Sequence, residues 1–363
     1  MINSDAKIRI IFKVCKSFSF FFVFSYLCRD ISKYRVKKEA EAMGMIRFIR
    51  DWTLPVAIAT GSLLYLLFAN LPILEEAGKA LSPFFNHILP LFMFLILFVT
   101  FCKVDFHKMR PVAWHLWIGL FQVILLFLMM ALILTYQPVG NNLILMEALL
   151  TCVIAPCAAA APVVTQKLGG KLEQMTTYTF LSNFMTALFI PLCFPMVEKD
   201  ANMTFLSAFL TILYQVSVVL VVPMGLAWIV KHHAKEFHRR IIAVKDLSYY
   251  LWACSLMIVS GTTVKNICHA EAPAVFILSI GMLGLVLCII QFSVGRWVGH
   301  YFDATIEAGQ GMGQKNTAFA IWIAYTYLNP LSSVGPGCYI LWQNIINSVE
   351  IWKYREQYKT VSI

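Results

Sequence analysis

Apolar and polar positions alternate along this chain on a long scale. Apolar runs close to the ~20 residues that cross a hydrocarbon core as a helix are separated by short breaks carrying Pro, Gly, Asn or charge. The runs cover residues 52–71, 84–102, 111–136, 143–164, 176–197, 205–230, 247–267, 274–298, 316–328 and 335–352. The pattern predicts an all-α polytopic membrane protein with ten transmembrane helices. The ninth run is short unless the stretch "EAGQGMGQK" that precedes it belongs to it. No linker is long enough to divide the chain, so residues 43–352 read as one ten-helix domain and 353–363 as a tail.

The first 42 residues are of another kind. "SFSFFFVFSYLC" is apolar but too short to span, and the charged run "RDISKYRVKKEAEA" follows it. The stretch has neither a signal-peptide cleavage pattern nor the length of a domain. Met43 and Met45 then open what looks like an ordinary start. An interfacial segment and an upstream start codon both account for residues 1–42.

Composition agrees with a membrane class. Apolar residues make up 60% and charged residues only 13%, where a soluble domain carries roughly a quarter charged; mean hydropathy is +0.73. The ten cysteines are scattered, with no C-x-x-C pair, and read as thiols in apolar helices. The net charge of +10 does not point to nucleic acid. Its bases sit at Arg47 and Arg50, then at Lys103, Lys108 and Arg110, Lys167 and Lys171, "KHHAKEFHRRIIAVKD", Arg296, and Lys353, Arg355 and Lys359. The intervening loops "ILEEAGKALSP", "QPVGNN", "EKDANM", "NICHAEAP" and "NPLSSVGPG" are poor in base. This alternation places both termini in the cytoplasm and the protein in the cell (inner) membrane. His232, His233 and His238 fall in the most basic loop without a carboxylate or cysteine ligand pattern, and read as its charge rather than a metal site.

Ten spans divide into two sets of five, and an odd number per half inverts the second half against the first. The fourth span holds "TCVIAPCAAAAPVVTQKLGG", with Pro156 and Pro162 around a run of alanines; Pro162 removes a backbone donor and clashes with the preceding turn. The ninth, fourth of the second half, holds "EAGQGMGQKNTAF". Breaks in matching helices of two halves point to a transporter binding site, because unwound backbone survives at membrane depth only where protein or a watery cavity satisfies it. Small residues also occur in ordinary helix-packing seams.

At these residues the sequence resembles the bile acid:sodium symporter family. "LNPLSSVGPGCYILWQNIINSVEIW" is similar to its last helix, where a Pro-Gly turn precedes a W-[HQ]-N element, here Trp342, Gln343 and Asn344. The ninth span resembles its E-x-G-x-Q-N-S region, "APCAAAAPVVTQKL" its Pro-rich crossing helix, and "IGLFQVILL" a helix that places Gln122 as the family glutamine. The resemblance covers 45–352. It implies two inverted five-helix repeats with broken crossing helices 4 and 9, a panel of spans 1, 2, 6 and 7, and a core of spans 3–5 and 8–10. It also implies transport of small organic anions, usually with sodium; an intramembrane enzyme is not expected, since the spans hold no paired catalytic His, Glu or Asp set.

The sequence departs from that pattern at the sodium ligands. Anchored on Asn316 and Thr317, Gly311 stands at the family glutamate and Lys315 at the family glutamine; anchored on Glu307 and Gly309, the glutamate is kept and the glutamine lost. The first register fits the distance to Trp342 better. The family Ser-Asn pair falls on Ala161 and Pro162, with Thr165, Thr176, Thr177, Ser182 and Asn183 nearby. Sodium prefers oxygen ligands, and the first register leaves too few. The residues expected at the substrate or ion site are therefore Gln122, Pro156, Pro162, Thr165, Thr176, Thr177, Asn183, Glu307, Gln314, Lys315, Asn316 and Thr317. Lys315 is either a lysine snorkelling at a helix entrance or a tethered cation in place of the metal. No organic cofactor is expected, and coupling to sodium or to protons stays open. Two carriers of related fold are the alternatives. A cation/proton antiporter needs an intramembrane carboxylate, but no Asp lies within a span and Glu147 and Glu350 fall near span ends. An arsenite-type efflux carrier uses a cysteine in the fourth span, where Cys157 follows Pro156.

Overall fold

The computed structural model describes residues 52–197, 204–244, 246–269 and 272–361. The expectation for residues 1–42 lies outside this range. The described chain is all-helical. Its helices are α1 (Thr53–Asn70), α2 (Pro72–Lys103), α3 (Ala113–Tyr136), α4 (Asn141–Ile154), α5 (Ala161–Lys167), α6 (Leu172–Val197), α7 (Phe205–His233), α8 (Lys235–Ala243), α9 (Leu247–Cys268), α10 (Ala274–His300), α11 (Thr305–Gly313), α12 (Thr317–Tyr327) and α13 (Val334–Val361).

Five of the described helices are long and apolar enough to cross a membrane: α1, α3, α6, α9 and α10. α4, α5, α11 and α12 are each shorter than a crossing needs. α13 is long enough but carries Gln343, Asn344, Asn347 and Glu350 along its length.

Several boundaries differ from those read in the sequence. α2 starts at Pro72 rather than 84, because Pro at a helix start gives up an N–H that had no intrahelical partner, so the charges of "EEAGK" do not end the helix. α6 starts at Leu172 instead of 176. α13 continues to Val361, so the tail read over 353–363 is helical through 361.

Two groups of helices result. α1, α2, α7 and α9 pack on one another, and α3, α4, α6 and α10–α13 on one another. Leu54, Ile96, Leu97, Trp252 and Leu256 centre the first group, and Val163, Val164 and Leu168 of α5 insert into the same cluster. Leu126, Leu150, Phe194, Phe292, Ile323 and Tyr339 centre the second. The outward faces stay apolar, with Leu116, Phe127 and Leu128 on α3 and Leu278, Val286 and Ile289 on α10 exposed; such faces suit lipid.

Backbone contact between α1 and α9 depends on glycine. A Cβ at Gly61 would collide with the Met257 carbonyl, and one at Gly261 would lie 3.0 Å from the Gly61 oxygen. We expect Gly61→Val to separate the two helices and cost about 3 kcal/mol or more, at the upper end of overpacking, read as a lowered unfolding temperature of the purified protein.

The basic loops converge at one end. Lys231 Nζ donates to the Val104 carbonyl (3.4 Å), His238 Nε2 lies 2.8 Å from the Cys102 carbonyl, and Lys167 pairs with Asp246. At the C-terminal ends of α1 and α9, Tyr65 Oη meets His269 Nδ1 at 3.3 Å.

Candidate functional site

Helical hydrogen bonding stops after Ile154 and resumes at Ala161, and stops again after Gly313 to resume at Thr317. The two gaps lie against each other. Ala158 N–H donates to the Gln314 carbonyl (2.9 Å) and Asn316 N–H to the Pro156 carbonyl (2.8 Å). Cys157 and Lys315 thus form a one-rung antiparallel bridge. In this arrangement the bonded groups flank the pair, so the backbone polar groups of Cys157 and Lys315 point outward and need other partners.

Side chains from the following helices supply them. Ser182 Oγ on α6 accepts from Cys157 N–H (2.8 Å). Gln343 on α13 accepts from Lys315 N–H through Oε1 (2.8 Å) and donates from Nε2 to the Lys315 carbonyl (3.2 Å), extending the bridge as a third strand would. The surrounding helix ends are held in the same way. Thr186 Oγ1 donates to the Ile154 carbonyl (2.9 Å), Gln122 Nε2 to the carbonyls of Val153 and Ala155 (3.3 Å each), and Tyr339 Oη to the Gly313 carbonyl (2.8 Å). Asn316 caps α12 by accepting from Phe319 N–H (3.2 Å), an N-cap role for which Asn is well suited.

Lys315 is 1% exposed. Its ammonium donates to the Val153 carbonyl at 3.4 Å, beside the amide of Gln122. The ionisable groups facing it are the thiols of Cys157 and Cys152. This is not the snorkelling geometry, in which the head reaches water. Gln314 is fully buried and neither amide atom has a protein partner; the hydroxyls of Thr165 and Thr176 are likewise buried and unpartnered.

The remaining expected residues are placed differently. Pro162 does not make the break: it stands in the first turn of α5, where its missing N–H costs nothing, and the break lies upstream around Pro156. The three glycines of "GQGMG" do not unwind the chain either, since α11 is helical through all of them. They admit bulky neighbours: Gly309 faces Arg296, Gly311 faces Tyr178 and Trp114, and Gly313 faces the Phe292 ring. Opposite them, a Cβ at Gly295 or Gly299 would come within 2.5 Å of the Ala308 or Ala304 carbonyl. The α10–α11 contact is therefore a small-xxx-small seam on both sides. Thr177 Oγ1 and Asn183 Nδ2 donate to carbonyls of their own helix, at Glu173 and Thr179. Thr317 is buried beside the break, and its N–H donates to the Lys315 carbonyl (3.0 Å).

Glu307 is buried away from the bridge, and its Oε1 accepts from Lys171 N–H (2.6 Å). Glu147, near the start of its span, is wholly buried in α4 and accepts from Ser332 Oγ (2.5 Å) and Asn329 N–H (3.3 Å). The two carboxylates thus exchange places. The helix before the first break anchors the loop entering α13, and the helix before the second anchors the loop entering α6. Gln310 adds a second polar layer, donating to Asn347 Oδ1 (3.0 Å) and Glu350 Oε2 (2.8 Å), with Arg296 paired to Glu350. Among the described residues no group of three His, Cys, Asp or Glu could hold a metal ion.

Helices apolar and long enough to cross a membrane thus surround a buried layer in which two helix gaps pair their backbones. The family model described as Sodium Bile acid symporter family matches residues 90–270, about half of the chain, and the chain belongs to that family. A comparison with curated proteins finds no match. Membership implies a secondary transporter with a small-molecule substrate, rather than an enzyme.

Proposed function

We propose that the protein carries small organic anions across the cytoplasmic membrane without bound sodium, Lys315 holding the place of the cation. The observation that carries this reading is the buried ammonium of Lys315 at the bridge between the two interrupted helices, where its ionisable neighbours among the described residues are the thiols of Cys157 and Cys152. A fixed charge there offsets the carbonyl ends of α4 and leaves a positive field for an anion. On the register anchored on Asn316 and Thr317, three positions of the family's oxygen ligands for sodium fall on Ala161, Pro162 and Gly311. The direct test is uptake of organic anions, bile acids included, into proteoliposomes with sodium or with choline outside. Equal uptake supports the reading, and a steep rise with sodium rejects it.

We also infer ten spans in two inverted repeats, with α4–α5 and α11–α12 as the two broken crossings. The exchanged carboxylates Glu147 and Glu307, and the matching bridge partners Ser182 on α6 and Gln343 on α13, are what a two-fold relation between halves would produce. The panel then comprises α1, α2, α7 and α9. Both termini lie in the cytoplasm, because the basic loops after α2, α5 and α7 share one end. A cysteine introduced at Lys235 should be protected from an impermeant thiol reagent added to intact cells, and one at Asn141 should be labelled. The reverse labelling would refute this orientation.

A further inference from the structure

A cleft of about 350 Å³ opens at the end where the basic loops meet. Its walls come from α2, α5 and the start of α9: Lys103 ends α2, Gln166 and Lys167 end α5, Asp246 caps α9, and Ser248 and Tyr249 lie in its first turn. Lys167 Nζ is 2.5 Å from Asp246 Oδ1 and lies 5.0 Å from the centre of the Tyr249 ring. The lysine side chain is 19% exposed and the aspartate 42%. The lining therefore has two lysines against one carboxylate, an aromatic face, an amide and a hydroxyl. The volume falls in the range of small-molecule sites.

The carboxylate of Asp246 is itself a tethered organic anion, seated on a lysine in a cation-rich cleft. It is the more exposed partner, so it can turn to solvent when another carboxylate takes its place. A partly exposed pair of this kind is weak and readily exchanged. Lys167 remains paired throughout, so the exchange does not strand a charge in the cleft.

We propose that this cleft is a binding subsite for the carboxylate of an organic anion, in which Asp246 is an intramolecular competitor for Lys167. Beyond the transport reading, on which it rests, the inference assigns a specificity-determining pair outside the bridge. It separates itself from a merely structural ion pair by sign. If the pair only holds α5 to α9, losing either partner harms binding alike. If Asp246 competes, losing it tightens anion binding and losing Lys167 weakens it.

The test is calorimetric binding of benzoate and of cholate to the purified full-length protein, at fixed ionic strength, with benzamide as the uncharged control. Four proteins are compared: wild type, Asp246→Asn, Lys167→Gln and the double variant. We expect Asp246→Asn to bind either carboxylate about 5–10-fold more tightly and Lys167→Gln about 10-fold more weakly. The double variant should lie closer to Lys167→Gln than to wild type, since Lys167 is the direct partner of the aspartate and Lys103 is left as the cleft's other cation. Benzamide should not distinguish the four. Carboxylate binding that is equal in all four, or weakened in both single variants, overturns the subsite and leaves the transport reading intact. No carboxylate binding by any of them, Asp246→Asn included, overturns the subsite; anion uptake by the wild type in proteoliposomes then decides the transport reading separately.

Discussion

Replacing Lys315 by Gln is expected to abolish transport, lowering uptake by about 100-fold or more, without making the remainder depend on sodium. The substitution removes the buried ammonium that donates to the Val153 carbonyl beside Gln122. It supplies one amide oxygen, but neither a carboxylate at Gly311 nor hydroxyl and amide oxygens at Ala161 and Pro162. A metal entering that space would meet too few oxygen ligands to repay its dehydration. Lys315→Arg keeps the charge but spreads it over a larger planar fork at a position that is 1% exposed; it should be impaired as well. The measurement is initial uptake rate, over a range of sodium with choline as replacement, of an anion the wild type transports. Intact uptake in Lys315→Gln, or a variant that gains sodium dependence, would favour the register anchored on Glu307 for α11 and α12.

Gln343→Leu should give the largest loss of stability among changes at the bridge. It leaves the Lys315 N–H buried without its acceptor and strips one donor from the Lys315 carbonyl, which keeps only the Thr317 N–H. An orphaned buried N–H together with one lost bond amounts to about 2–4 kcal/mol. Gln343→Glu retains an acceptor for the N–H and should lose less. Ser182→Ala, which unpairs only Cys157 N–H, should cost about 1–3 kcal/mol. Unfolding of the purified protein in a bilayer disc reads all three. If Gln343→Leu proves no less stable than Ser182→Ala, the three-strand arrangement is not what holds the break.

The sequence carries the helical architecture well where apolarity is continuous. α3, α9 and α10 lie within a few residues of their hydropathy runs, because lipid-facing and buried positions alike are apolar there. It carries α2 and α13 poorly. Their outer turns are charged, and a helix extending past the hydrocarbon gives no hydropathy signal. The breaks show the same division. The gaps after α4 and α11 fall in or beside the Pro-and-Ala and Gly-rich stretches of the sequence, but the residues that stand out there do not make them. Pro162 sits in a helix start and the glycines in a packing seam; the unwound residues are those whose backbone finds partners across the bridge, a relation between positions far apart in the chain. For the same reason Ser182 and Gln343 stood out only as a nearby hydroxyl and part of a motif. Thr186 and Tyr339 give no signal at all, since a polar group in an apolar helix does not announce which carbonyl it reaches.

The bridge between Cys157 and Lys315 also bears on how the chain is made. The backbone of the first gap is synthesised some 160 residues before its partner strand. At about 5–20 residues per second, the interval is roughly 8–30 s. During that time the peptide groups of Pro156 and Ala158 have no second strand to bond, in a region where lipid offers no substitute. Ser182, made soon afterwards, can shelter Cys157 alone. The pairing of these two segments is therefore a late event, complete only after the residues around Lys315 have been made.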